Sequence, residues 1–206
     1  HSGAFLVTAT FSEDVTGFDI GDVSVGNGAA SDFATTSARV YTFNVTPASD
    51  GAVTVDVSGA AGQDGAGNDS TAATQLSVTA DGSVPTLVLT TTATSPHSGV
   101  FSVTASFSED VTGFDATDIN IGNGAASDFA ATSARVYSFT VTPASDGAVT
   151  VDVSGAAAQD GAGNDTTAAA PLSVTADGSV PTLVLSTTST SPHSGAFLVT
   201  ATFSED

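Results

Sequence analysis

The chain contains no cysteine, methionine or tryptophan, and only 2 of its 206 residues are Lys or Arg. Each absence removes a class of function. Without cysteine there is no disulfide framework, no thiolate metal site and no cysteine nucleophile. Two cations against 22 acidic residues leave a formal charge of -20, which excludes the basic patch that a nucleic-acid groove requires. No apolar run approaches the ~20 residues of a membrane-spanning helix. Val, Ala, Thr, Ser and Gly are plentiful instead, with 12 Phe and an apolar fraction of 40%. That is enough to bury a core and more than a disordered acidic tail carries.

An internal repeat organises these residues. HSGAFLVTATFSED begins at His1, HSGVFSVTASFSED at His97 and HSGAFLVTATFSED again at His193, a period of 96 residues. Residues 1–96 and 97–192 agree at 79 of 96 positions, and the last 14 residues repeat the first 14 unchanged. This period exceeds the ~20–50 residues of a solenoid unit, which needs its neighbours to bury a face. A unit of ~100 residues can hold its own core.

Within a unit, apolar and polar residues alternate. Phe101, Val103, Ala105 and Phe107 fall on one face and Ser102, Thr104 and Ser106 on the other, the two-residue period of a half-buried strand. The same alternation runs through Tyr137, Phe139, Val141 and through Val149, Val151, Val153. Asn123-Gly124, the Pro143–Gly147 stretch and the glycine-rich run Asp160–Asn164 interrupt it with turn chemistry. Between these breaks seven strands are expected: A (about 86–92), B (100–108), C (114–121), D (125–131), E (135–142), F (148–154) and G (171–176). Almost no helix is expected. Seven short strands in such a unit indicate an all-β fold, a two-sheet sandwich of immunoglobulin type, whose core rests on Val, Phe and Tyr packing because no cysteine pair exists.

Asp81–Pro85 and Asp177–Pro181 follow strand G and precede strand A, and proline cannot donate to a ladder, so both read as short linkers. The expected division is a partial domain at 1–83 (strands B to G), a complete domain at 84–180 and a partial one at 181–206 (strands A and B). With no initiator Met or signal peptide at its start, the sequence is expected to be an excerpt from a longer array.

FSEDVTGFD, then DINIGNGAASDF, VYSFTVTPASDGAVTVDVSG, a DGAGN loop and LSVTADGSVP, occur in one order before the next copy begins. This succession resembles the bacterial Ig-like repeats of large repetitive surface adhesins of the RTX and Bap type, and the resemblance covers the whole chain. It implies an extracellular tandem array on a bacterial surface that extends a distal binding region, often stiffened by calcium between domains. Its partners would be neighbouring Ig-like domains of the same chain or fibre.

Topology supplies a separate reason to expect calcium. If seven strands alternate up and down, the B–C and F–G loops lie beside the incoming linker. Asp81 from the linker, Glu109 and Asp110 from B–C, and Asp160, Asn164 and Asp165 from F–G then converge on one junction. Clustered carboxylates repel one another, whereas Ca²⁺ takes 6–8 oxygen ligands; zinc prefers sulfur or nitrogen and magnesium keeps its waters. The expected ligands are Asp81, Glu109 and Asp160, with Asn164 and Asp110 secondary. Matching half-sites are Glu13, Asp14, Asp64 and Asn68 near the start and Asp177, Glu205 and Asp206 near the end. The competing reading is that these acids are solvated and that Asp-Gly and Gly-Asn are ordinary turn formers.

Other residues point away from chemistry. His97-Ser98 cannot act as a pair, since adjacent strand residues face opposite sides. No nucleophile elbow, metalloprotease helix or phosphate loop occurs, so the protein is not expected to be an enzyme. Arg39 and Arg135 are expected to pair with a nearby Asp, and Tyr41 and Tyr137 to lie in the core. The Asn-x-Ser/Thr triplets at Asn44, Asn68 and Asn164 are common by chance in a Thr-rich chain. A glycan-binding surface would need exposed aromatic platforms, and the aromatics here alternate inward. A different alternative is a self-assembling extracellular filament in which the A–B segment at 182–206 complements a neighbouring chain by strand donation.

Overall fold

The alternation of β-branched and small polar residues produces two successive sandwiches. A computed structural model describes residues 3–205. In the first sandwich, β1 (Phe5–Thr10), β4 (Val40–Pro47) and β3 (Gly28–Thr35) form one antiparallel sheet in the order β1-β4-β3. The facing sheet has the order β2-β5-β6, from β2 (Val23–Gly26), β5 (Gly51–Val57) and β6 (Leu76–Ala80). The second sandwich adds a strand. Its sheets run β10-β11-β8-β7 and β13-β12-β9, built from β7 (Leu87–Thr91), β8 (Phe101–Phe107), β9 (Ile119–Gly122), β10 (Gly124–Ala131), β11 (Val136–Pro143), β12 (Gly147–Val153) and β13 (Leu172–Ala176). With β7 to β13 as strands A to G, these are the D-E-B-A and G-F-C sheets of a seven-stranded immunoglobulin-type sandwich. A hairpin of β14 (Leu183–Ser186) and β15 (Thr200–Phe203) follows.

The core of the second sandwich is continuous. Val103, Ala105, Val141 and Val149 are fully buried between the sheets, with Phe139 at 1% exposure. Phe114 meets Phe107, Phe129 and Tyr137 edge-on at ring separations of 5.1–5.6 Å, an arrangement aromatic quadrupoles favour. The Tyr137 hydroxyl donates to the Val111 carbonyl, so its one polar atom is partnered inside.

One expectation at a strand end needs correction. Strand C starts at Ile119 rather than 114, because residues 116–118 make a single 3-10 turn. Asp115 accepts from the Thr117 amide at 2.7 Å and Asp118 accepts from the Asp115 amide at 2.8 Å, a reciprocal cap that pulls the backbone out of the ladder. Phe114 remains buried, which is why the apolar pattern read through. The Asn123-Gly124 turn puts Asn123 in the left-handed conformation at φ 57°. It carries the chain from one sheet to the other, held by the Asn123 amide on the Ser145 carbonyl and the Ser145 hydroxyl on Asn123 Oδ1.

Candidate metal centre at the junction

The two sandwiches meet through residues 81–86, which belong to no strand. Three segments meet there. Asp81 follows β6, Glu109 follows β8, and Asp160 lies in the glycine-rich loop between β12 and β13. One carboxylate oxygen from each of Asp81, Glu109 and Asp160 lies within 4.8 Å of the others. Asp81 and Glu109 are partly buried, and Asp160 is 6% exposed.

Asp160 is held by its own loop. Its Oδ1 accepts from the Ala162 and Asn164 amides at 2.8 Å each, and its Oδ2 accepts from the Asn164 side chain at 2.7 Å. Gly163 closes this turn at φ +89°, in the region open to glycine. The same ring recurs at Asp64 and Asn68 in the first sandwich, so it is a property of the loop sequence. The junction adds a further bond, from the Asn164 side chain to the Asp81 carbonyl at 3.0 Å. Asn164 thus ties the linker to the loop and spends its amide donors doing so.

The linker is fastened from both sides. Asp50, in the turn between β4 and β5, accepts from the Gly82 amide at 2.6 Å and the Ser83 hydroxyl at 2.7 Å. On the other side the Thr167 amide donates to the Pro85 carbonyl at 3.0 Å, and Pro85 is fully buried. Asp146 makes the same clamp on Gly178 and Ser179. Sequence reasoning missed Asp50 and Asp146; the signal was the Ser-Asp-Gly turn at 49–51 and 145–147, one period apart.

The charges at the junction oppose each other. Glu109 is held above the usual glutamate range, first by burial and then by the charges of Asp81 and Asp160, against a lowering contribution from Arg135. Asp160 is likewise penalised by burial, but hydrogen bonds from Asn164, Ala162 and Gly163 outweigh this and bring it below the usual aspartate value. Asp50 is lowered by the Gly82 amide and the Ser83 hydroxyl.

Not every expected ligand joins this group. Asp110 faces Arg135, with Nε to Oδ1 at 2.6 Å, and Asp14 faces Arg39 at 2.7 Å, so both are held in exposed ion pairs, as the arginines' expected partners. Glu13, Asp64 and Asn68 line one cleft of the first sandwich. Asp177 accepts from the Ser179 amide, and among the described residues neither it nor Glu205 belongs to a group of three metal-ligating side chains. Asp206, like His1 and Ser2, lies outside the described residues. His97 pairs with β13 through its backbone, its amide donating to the Thr175 carbonyl while its carbonyl accepts from Asp177, and its ring packs edge-on to Phe101. Among the described residues no helix is long and apolar enough to cross a membrane.

A family described as "Bacterial Ig-like domain" matches residues 2–80 and again 81–175. No curated protein matches the chain. Among solved structures, it is similar to SGBP-B of the Bacteroides ovatus mixed-linkage glucan utilization locus, in complex with mixed-linkage heptasaccharide, at 15% identity and a TM-score of 0.27. That match covers 87% of this chain and 42% of the other, so the chain spans less than half of that protein. A likeness of this strength carries no argument about ligand.

Proposed function

The chain belongs to the bacterial Ig-like domain family, and from that premise we propose that it is a spacer segment of an extracellular, repetitive bacterial surface adhesin, with calcium stiffening its junctions. The observation that carries this reading is the meeting of Asp81, Glu109 and Asp160, from three separate segments, at the point where one sandwich passes into the next. A repeated passive module has a mechanical use, since reach grows linearly with copy number. In the second sandwich the aromatics favour that use over glycan binding, because Phe107, Phe114 and Tyr137 are spent on the core, whereas Phe197 and Phe203 near the end of the chain are exposed.

The donor set suits calcium. Every side-chain ligand is a carboxylate oxygen, Asp160 is already fixed by its loop, and Glu109, raised first by burial and then by the charges of Asp81 and Asp160, would gain a counter-charge from a divalent cation. Asp81, Glu109 and Asp160 would hold the ion, which would supply a cross-link between the linker and two loops of the second sandwich. Asp50 and Asn164 hold the same linker by hydrogen bonds whether or not the ion is bound.

Small-angle scattering on the full chain, at concentrations where sedimentation shows a single-chain species, tests the role. Calcium should lengthen the maximum dimension and narrow its distribution relative to chelator, with the circular dichroism of the strands unchanged. An identical distance distribution in calcium and in chelator contradicts the stiffening role.

A further inference from the structure

Residues 81–83 are bound to the first sandwich. Asp50 accepts from the Gly82 amide at 2.6 Å and the Ser83 hydroxyl at 2.7 Å, and the Asp81 side chain accepts from the Ser83 amide at 3.1 Å, so both amides and the hydroxyl are engaged. The turn that carries Asp50 is itself pinned. The Asn27 side chain donates to the Ser49 carbonyl at 2.9 Å, and the Ser49 hydroxyl donates to Asn27 Oδ1 at 2.8 Å. The same relay recurs one period on, from Asn123 through Ser145 and Asp146 to Gly178 and Ser179.

From Pro85 onward the chain belongs to the second sandwich. Pro85 is fully buried and its carbonyl accepts from the Thr167 amide at 3.0 Å. Thr86 is tied to Ser108 twice at 3.0 Å, its amide donating to the Ser108 hydroxyl and its carbonyl accepting from the Ser108 amide. Val84 stands between the two grips. It is 48% exposed and, among the described residues, makes no hydrogen bond. A β-branched residue ahead of proline is confined to extended backbone, which leaves a narrow range of motion and not none.

Across this point each hydrophobic cluster of described residues draws on one sandwich alone, so no shared apolar core fixes the angle. Two polar effects cross it in opposite senses. Asp81 lies on the first-sandwich side and Glu109 and Asp160 on the other, with a carboxylate oxygen of each within 4.8 Å of the others, and like charges favour separation. The Asn164 side chain donates across to the Asp81 carbonyl at 3.0 Å, which favours approach.

We propose that Val84 is a one-residue hinge between the two sandwiches and that Asn164 is its latch, holding the joint closed against the repulsion of the junction carboxylates when no metal is bound. A single neutral hydrogen bond in competition with water biases such a joint without freezing it. A bound cation can then stiffen it further. Hinge and latch both act in chelator, so this inference and the calcium reading stand or fall separately.

The chain has no cysteine, so Ser77→Cys and Ser173→Cys in one full-length chain put a nitroxide on an exposed position of β6 and of β13, one in each sandwich. Pulsed electron spin resonance in chelator then reads the distribution of distances across the joint. Asn164→Ala should lower the main population about fivefold relative to the remainder, the factor for one such hydrogen bond. Asn68→Ala removes the matching loop contact to Asp64, away from this joint, and should leave the distribution as in the parent. Val84→Gly changes a half-exposed side chain outside both cores and should broaden the distribution, with the circular dichroism of the strands unchanged. A parent-like distribution in Asn164→Ala would overturn the latch, and one in Val84→Gly would overturn the hinge. Equal broadening by Asn68→Ala would also overturn the latch, since loss of the loop ring and not of the bond to Asp81 would then be the cause.

Discussion

At the scale of single residues, the junction sets a repelling Glu109 against a locked Asp160. Because the folded chain raises the Glu109 value, folding gains from its proton below the ordinary glutamate range, and that contribution is lost as pH rises through the raised value. In chelator, Glu109→Gln should therefore melt higher than the parent at about pH 7 and no differently at about pH 4, where the parent side chain is itself largely protonated. Thermal melts across that range check it. Asp50 has the opposite sign: its lowered value contributes stability above the ordinary aspartate range, lost as pH falls through the depressed value. Asp50→Ala should free the Gly82 amide and the Ser83 hydroxyl, seen as faster amide exchange at Gly82 with the strands of both sandwiches still protected. Asp110 and Asp160 separate the ion-pair role from the ligand role. Asp110→Asn should keep calcium uptake and Asp160→Asn should lose it, measured by calorimetry.

At the scale of elements, the central strands carry the cores. Phe43 on β4 and Phe139 on β11 are each 1% exposed. Replacing either with Ala should cost about 3–5 kcal/mol, and each substitution should lower a different transition in scanning calorimetry because each lies in its own sandwich. Gly124→Ala should also destabilise the second sandwich. A Cβ there would stand 2.7 Å from the Thr142 carbonyl oxygen, a backbone atom fixed in the β10–β11 ladder. The strands themselves were legible in the sequence, since strict alternation over Phe101–Phe107 or Val136–Pro143 leaves one face to bury. The 3-10 turn at 116–118 was not, because Phe114 and Ile119 stay in the core while the two aspartates between them redirect the backbone. The convergence of Asp81, Glu109 and Asp160 could be read from up-and-down topology alone. Which neighbouring acid pairs with Arg135, and that Asp50 grips the linker, depend on side-chain directions that spacing does not encode.

At the scale of the molecule, acidity is distributed with the repeat, and among the described residues its one triad sits where two sandwiches join. The chain of sandwiches is thus built from modules whose cores are separate, and the proposed calcium would alter the joint without altering the fold. Calorimetric titration of calcium into the full chain tests this most directly. The predicted result is uptake at one site per chain, lost together in Asp81→Asn, Glu109→Gln and Asp160→Asn and retained in Asp110→Asn. No heat up to millimolar calcium, or uptake that survives all three substitutions, would contradict it.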